Sequence, residues 1–454
     1  MKRWLKILIP TVLLLGVVWV VYVAVQQPEP PASGPIVLPD GSWVHIEAVT
    51  YGTNHLVGPR LAFVADRMPP LVRNLLRRIL GRRVGMRFSH DSSSPKLVLW
   101  LNRGMAGVFP PGTGYFECVL SDTNGFACGE KVHFAARYPL TVTEFTAFPR
   151  RSPEIILSIY YHDAAGVVSK RGSVAFANPV YRRYPAWKPE PLPVTKRAGD
   201  VEVTLEKILT RLDTKIGYEN SPNGHTLVFT TNALDGTSAT VCVLRLRATG
   251  NTNEIWRASG VVMSDATGNR VEHETCDTDN ETGCVVFSPA LWTSEPAWKL
   301  DFEITRDAGF SPGELFTFHD VPLGALNATN RIGWTTNCNG VQVTLEQTTR
   351  RERPRNPDYW TPASEFELRL GVTGLTNDLL LDLISATTDV GPELGRYYLQ
   401  SDGETNQLHH FNPPPPGAKS ASFTFAVQRS RRVEFLVKPE TGTARLVVAP
   451  KNKQ

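Results

Sequence analysis

The chain has 454 residues, with 48 Lys+Arg against 44 Asp+Glu and six cysteines. That length exceeds what one core usually serves and points to two to four domains. The near-balance of charge excludes a globally basic nucleic-acid binder, and no C-x-x-C pair supports a zinc finger.

From the N-terminus, residues 7–25 carry no charge, and about 20 apolar residues span a bilayer. Residues 1–6 then form a short cytoplasmic tail and 7–25 a single-pass transmembrane helix or signal-anchor. Lys2, Arg3 and Lys6 precede the run and the next basic residue is Arg60, which orients the N-terminus inward and the bulk of the chain outward. A cleaved signal peptide is the competing reading. Its apolar region usually runs about 7–15 residues, and Tyr22 to Gln26 offers no small-x-small cleavage site. The expected location is the cell membrane, with the body extracytoplasmic. Removing the three basic residues of the tail leaves 45 basic against 44 acidic residues outside the membrane. Residues 26–35, "QQPEPPASGP", read as a Pro-rich stalk; ten residues reach at most about 36 Å, which keeps the next domain near the bilayer.

"WVHIEAVT", "VEVTLEKI" and "VQVTLEQT" begin at Trp43, Val201 and Val341. Each alternates apolar and polar residues with the period of a half-buried strand. Two further landmarks follow in order. An apolar run ending in Ser-Asp and a polar turn recurs at Val119, Val262 and Leu399. "VAFANP" in the first copy answers "FTFHDVP" in the second, and the third ends in "RVEFLVKP". Landmarks roughly 140 residues apart describe tandem domains, since solenoid repeats fall at about 20–50. The expected fold is mainly β: three tandem immunoglobulin- or fibronectin-like β-sandwiches over 36–193, 194–324 and 325–454. Val44, Val203 and Val343, with Ile46, Leu205 and Leu345, should point inward on equivalent strands. "KPEPLP" at Lys188 marks a stiff junction near Pro193, and "NPPPPG" at Asn412 an extended loop.

One segment breaks the β pattern. Over 68–81, "MPPLVRNLLRRILG", the apolar residues recur at helical spacing, with prolines at the start and Gly81 at the stop. An amphipathic helix inserted in the first sandwich is expected, with Arg73, Arg77 and Arg78 on its polar half. Its apolar face either covers its own sandwich or rests on the bilayer, where those arginines would meet anionic headgroups.

The cysteines sit in an exported context that permits disulfides, and the short-range pairs Cys118–Cys128 and Cys276–Cys284 are the ones expected. "HETCDTDNETGC" at His273 places Asp277, Asp279 and Glu281 at alternate positions, a weak candidate for a metal such as Ca²⁺. It lacks the glycine and final glutamate of an EF-hand loop, and a solvated hairpin tip is the simpler reading. Trp187 in "YPAWKP" and Trp298 in "EPAWKL" share a context and read as core residues rather than a sugar platform. No G-x-S-x-G, H-E-x-x-H or P-loop occurs. Ser93-Ser94-Pro95-Lys96 matches S-x-x-K, but Pro95 would break the helical turn that motif needs. His162-Asp163 and His319-Asp320 are neighbours at strand ends, and adjacent strand residues face opposite ways.

These readings predict no catalytic residue and no cofactor. The expected function is a membrane-tethered extracytoplasmic binding or scaffold protein, its partners the lipid bilayer and an envelope or surface protein, with no nucleic acid. The alternative is an exported hydrolase whose acid/base pair is assembled between domains, marked by two carboxylates of divergent pKa or an open metal site.

Overall fold

A computed structural model describes residues 34–39, 41–57, 88–104, 115–124, 127–128, 134–137, 140–162, 167–213, 217–221, 224–228, 238–250, 253–273, 277–279, 284–287, 291–352, 364–376, 378–402, 406–441 and 445–446. Within them the chain is mainly β, in several antiparallel sheets, with one short 3₁₀ turn at Pro312–Glu314 and one two-residue parallel pairing of Leu209–Thr210 with Glu440–Thr441. No helix among the described residues is long and apolar enough to cross a membrane. The predicted span 7–25 and the predicted helix 68–81, with Arg73, Arg77 and Arg78, lie outside the described residues.

Among the described residues three large hydrophobic cores form, each between two sheets, beside a smaller cluster of Ala48, Val98, Trp100 and Val142. Around the first, one sheet runs in the order Ile36–Val37, Trp43–Val57, Phe88–Gly104, Leu140–Phe145, Phe134–Arg137. It faces a second sheet ordered Ala127–Cys128, Tyr115–Ser121, Glu154–His162, Val168–Ala177. The second core repeats the first order with Val194–Ala198, Val201–Asp213, Ser238–Ala248, Cys284–Phe287 and Asp277–Asp279. The third repeats it with Ala328–Cys338, Val341–Glu352, Ser364–Thr373, Asn406–Phe411 and Arg396–Asp402.

The repeated octapeptide is the second strand of each of these sheets. Val44, Ile46, Val203, Leu205, Val343 and Leu345 are all buried, two in each core, as the alternation predicts. The repeat also encodes an irregularity. In all three sheets the register with the next strand slips at one place, between Ile46 and Ala48, between Leu205 and Lys207, and between Leu345 and Gln347. The skipped residue is the glutamate of the motif, Glu47, Glu206 or Glu346. A bulge there adds local twist, which lets a long strand wrap a closed pair of sheets.

In the first two copies the Ser-Asp landmark is a buried turn, whereas in the third Ser401 and Asp402 end the edge strand Arg396–Asp402 of the other sheet, so the predicted third match is not an equivalent position. Asp122 accepts from the Asn124 amide at 2.9 Å, and Asp265 accepts from the Thr267 amide and hydroxyl at 2.8 and 2.7 Å and from the Asn269 amide at 3.1 Å. An aspartate that bonds the backbone two residues on stabilises a turn by itself.

The closing strands behave differently. Val168–Ala177 pairs with Glu154–His162, closing the first sheet pair with its own chain. The equivalent strand of the second copy, Leu315–Pro322, pairs instead with Ser420–Arg429 and puts Phe318 and Val321 into the third core. The equivalent strand of the third copy, Arg431–Val437, pairs with Trp298–Ala308 and puts Val433, Phe435 and Val437 into the second core. The two strands have traded places. The boundary at Gly324 therefore does not coincide with the packing, since a strand on either side of it serves the core of the other side. Gly324 itself turns the chain at φ +70°, and a side chain there would run into Asn330.

A physical reason is visible in the connections. Only Ser430 separates Ser420–Arg429 from Arg431–Val437, too little for the two-residue loop that a tight hairpin requires. The chain must run straight on into the neighbouring sheet. The stiff junction at Lys188 is tied to this returning strand: the Glu190 amide donates to the Leu436 carbonyl at 2.6 Å, and Lys196 pairs with Glu190. The loop predicted at Asn412 is free of strand through Gly417.

Two side-chain expectations need correction. Cys118 is a buried free thiol, its ionisation pushed up by burial and by Glu117. Cys128 lies opposite Leu120, which leaves Cys118 on the diagonal, at about 7–8 Å, beyond disulfide reach. Cys284 lies opposite Asp279, while Cys276 is outside the described residues. Trp298 is fully buried, edge-on to Trp292 at 4.7 Å, but Trp187 is only half-buried in the irregular junction, so the pair is not one core position.

Candidate functional site

The loop after Leu140–Phe145 carries the first sheet pair onto the second. Asn178 fastens it, donating to the carbonyls of Pro149, Arg150 and Ser152 at 2.7–3.2 Å. From this loop the Phe148 amide donates to the Asn269 side chain at 3.3 Å and the Phe148 carbonyl accepts from it at 3.0 Å. Asn269 is in turn held by Asp265 at 2.7 Å, so the repeated Ser-Asp turn serves as a buried socket for the neighbouring unit. Arg151 adds a forked contact to Glu295 at 2.9 and 3.1 Å and donates to the carbonyls of Tyr184 and Pro185. Glu295 is 1% exposed; burial and the charge of Asp265 push its carboxyl above the usual range. Satisfied polar networks of this kind fix one geometry between neighbours.

That geometry leaves a cleft of about 680 Å³, within the usual size of ligand sites at domain junctions. One wall is Tyr51, the Ser93–Lys96 stretch, Thr146 and Arg150; the other is Gly268 with Arg270 to Glu272. Arg150 is 7% exposed, lies 5.3 Å from the Tyr51 ring and 5.1 Å from the Phe148 ring, and donates to the Thr267 carbonyl at 3.1 Å. Gly268, at φ +93°, is where a side chain would meet Arg150 at 3.2 Å, so glycine is required for the guanidinium to lie along the floor. Lys96 pairs with Glu144, and Arg270 pairs with Glu272 at 2.7 Å. Hydrogen bonds from Lys96 and His90 hold Glu144 below the usual carboxylate range although burial opposes it. The walls thus carry three cations, Lys96, Arg150 and Arg270, of which Lys96 is paired with Glu144 and Arg270 with Glu272.

The formal S-x-x-K motif lines this cleft on a strand, where Ser93 and Ser94 are exposed and Lys96 is engaged with Glu144. It has no helical turn to align a serine with a lysine base. His319 and Asp320 are exposed inside the strand Leu315–Pro322, not at its end, as the two residues skipped where the register slips between Phe318 and Val321, and Asp163 lies outside the described residues.

Strand Asp277–Asp279 is at a sheet edge, paired with Cys284–Phe287, and Glu281 lies outside the described residues. A different group of metal-ligating types converges in the third sheet pair: Glu365, Glu367 and His410, all buried, with one donor atom of each within 4.8 Å of the others. Sequence reasoning missed both this trio and the cleft cations. The available signal was Glu365 and Glu367 at alternate positions of one strand, but only the strand register reveals the histidine opposite.

No protein-family model matches the chain, and no curated protein matches it. Two solved structures from Listeria monocytogenes were found by shape. One is an uncharacterized protein in complex with glucose, magnesium and calcium, at 11% identity and TM-score 0.14. The other is a cycloalternan-forming enzyme in complex with a pentasaccharide substrate, at 10% identity and TM-score 0.14. In each case 73% of this chain is aligned, and it spans 29% of the other. A TM-score of 0.14 is not a shared fold, and the sugars belong to those proteins.

Proposed function

We propose that the chain is a membrane-tethered, extracytoplasmic binding or scaffold protein built of three tandem immunoglobulin-like sandwiches behind an N-terminal anchor, and that the cleft between the first two sheet pairs is its binding face. The observation that carries this reading is a preformed cleft, lined by three cations and fixed by the Phe148–Asn269 and Arg151–Glu295 contacts. Preorganisation lowers the cost of binding. The charge balance suits a partner that presents carboxylate or phosphate groups. Anchor, location and partner rest on the uncharged run 7–25 and its basic flank.

The hydrolase alternative needs an acid/base pair that substrate can reach. Glu365 and Glu367 are paired carboxylates with one shifted member, but both are under a tenth exposed and neither lines the cleft.

In-cell photocrosslinking separates the readings. A crosslinker at Ser94, exposed in the cleft, should capture a defined envelope partner, and one at Asn337, exposed in the third sheet pair, should not. Arg270→Glu should abolish the Ser94 capture. Equal capture from both positions, or indifference to the charge reversal, defeats the proposal.

A further inference from the structure

We propose that Glu365, Glu367 and His410 bind one divalent first-row transition-metal ion such as zinc. The site lies in the third sheet pair, and it goes beyond the binding role of the cleft.

The strand register builds it. Glu367 and His410 are directly opposed on neighbouring antiparallel strands, and Glu365 lies two residues along on the same face. Directly opposed residues have Cβ atoms about 4.5–5.5 Å apart, close enough for side chains to share a ligand. Phe366 and Phe411, which alternate with these residues, are fully buried in the third core and fix both strands from the opposite side. The two strands are interior to their sheet, with Val341–Glu352 on one flank and Arg396–Asp402 on the other. Donors on such a frame are held without loop motion.

Distances agree with a shared ion. His410 Nδ1 lies 3.5 Å from Glu365 Oε2 and 3.7 Å from Glu367 Oε1. Both exceed the 2.7–3.2 Å range of about all N–H···O hydrogen bonds. Donors at about 2.0–2.2 Å from one zinc ion, at a tetrahedral angle, lie roughly 3.4 Å apart. Arg351 Nη2 approaches the other oxygen of Glu367, Oε2, at 3.5 Å, which leaves Oε1 turned toward the imidazole. Side-chain exposures of 2%, 8% and 7% for Glu365, Glu367 and His410 show that the trio is withdrawn from bulk water despite lying on the face away from the core. Imidazole with carboxylates suits zinc or manganese, whereas calcium takes an all-oxygen shell.

The test uses the full-length chain, stripped with a chelator and titrated calorimetrically with zinc, manganese and calcium in turn. One zinc or manganese ion per chain should bind in preference to calcium and raise Tm. X-ray absorption of the zinc form should show imidazole nitrogen and carboxylate oxygen near about 2.0–2.2 Å. Glu365→Gln, Glu367→Gln and His410→Gln should each weaken binding beyond the roughly 10–100-fold typical for loss of a supporting residue. His319→Gln, at an exposed histidine, should leave binding unchanged. A wild-type chain that takes up neither zinc nor manganese overturns the proposal and leaves the two glutamates sharing a proton. Unaltered binding in folded variants overturns it as well. Should the variants misfold by circular dichroism, the wild-type absorption spectrum decides alone: sulfur ligation or no imidazole places the ion elsewhere.

Discussion

The first sheet pair and the later two are written in the same motifs and share one strand order, yet they close in different ways. The first is completed by its own strand Val168–Ala177. The second and third each finish on a strand from the other copy, Arg431–Val437 and Leu315–Pro322. The difference teaches that the repeat specifies which place a strand fills, and the connection length specifies whose place it is. It also predicts different thermodynamics: the first core should unfold by itself, whereas neither of the others is whole without its neighbour. Polar contacts reinforce the interlacing. Arg431 grips Asp200 at 2.9 Å, Gln428 bonds the backbone of Arg306 at 2.8 and 3.0 Å, and Arg257 reaches Asp382 at 2.7 Å.

The most drastic way to break the comparison is truncation after Arg429. It removes Val433, Phe435 and Val437 from the second core and bares the edge of Trp298–Ala308, although the missing residues lie more than a hundred positions downstream. The second sheet pair should lose protease protection and the first should keep it, as limited proteolysis with mass spectrometry would read directly. Equal protection of both would show that the exchanged strand is dispensable. Phe435→Ala is the milder version; a fully buried phenylalanine lost from a core costs about 3–5 kcal/mol.

Matched substitutions sharpen the contrast. Ile46→Ala, Leu205→Ala and Leu345→Ala each remove a buried side chain from the same repeat position, at a cost of about 2–5 kcal/mol. In denaturant unfolding, the first should shift one transition alone, while the other two should shift a second transition that they share. Three independent transitions would mean that the exchange does not couple the cores.

Much of this was legible in the sequence, for a physical reason. Alternation in Val201 to Glu206 reports a half-buried strand wherever it pairs, and Asp265 makes its turn with residues only two and four positions away. Local rules suffice for local bonds. The exchange was not legible, because "FTFHDVP" and "RVEFLVKP" carry the same alternating pattern whichever sheet receives them; the single residue Ser430 was the clue. The candidate sites were hidden for the related reason that long-range register assembles them. Arg150 meets Gly268 across more than a hundred residues, and Glu367 meets His410 across two strands that are not consecutive in the chain.

The junction between the first and second sheet pairs is a third kind of contact, polar rather than interlaced, and should yield to a smaller change. Arg151→Met leaves Glu295 buried without its forked partner. Removing one member of a buried ion pair costs about 3–5 kcal/mol, and the partial exposure of Arg151 lowers this to roughly 2–3 kcal/mol. Calorimetry should show the first transition separating further from the second. Arg151→Met with Glu295→Leu should recover most of the loss, since a well-packed apolar pair replaces a buried ionic one at little cost.

The smallest effect, and the one confined to the third core, is a dependence on pH. His409 is fully buried beside Phe411 and Phe425, on the face opposite His410. Burial above all, with the charges of Arg396 and His410, pushes its pKa down to about 3 from 6.5. Between those values the unfolded chain carries a proton on this imidazole that the folded chain does not, so stability falls as pH drops below the unfolded value. One proton of difference gives a slope of about 1.4 kcal/mol per pH unit across that window. Glu367 acts with the opposite sign, because its raised folded-state pKa makes its protonation favour the fold as pH falls toward the ordinary carboxylate range. The net slope is a mixture, and the difference between wild type and His409→Phe isolates the imidazole. Urea unfolding of both at pH 7 and pH 5.5 should show the wild type losing about 1 kcal/mol more than the variant. It should appear in the transition shared by the second and third cores, and a loss in the first transition instead would break the coupling that the exchanged strands imply.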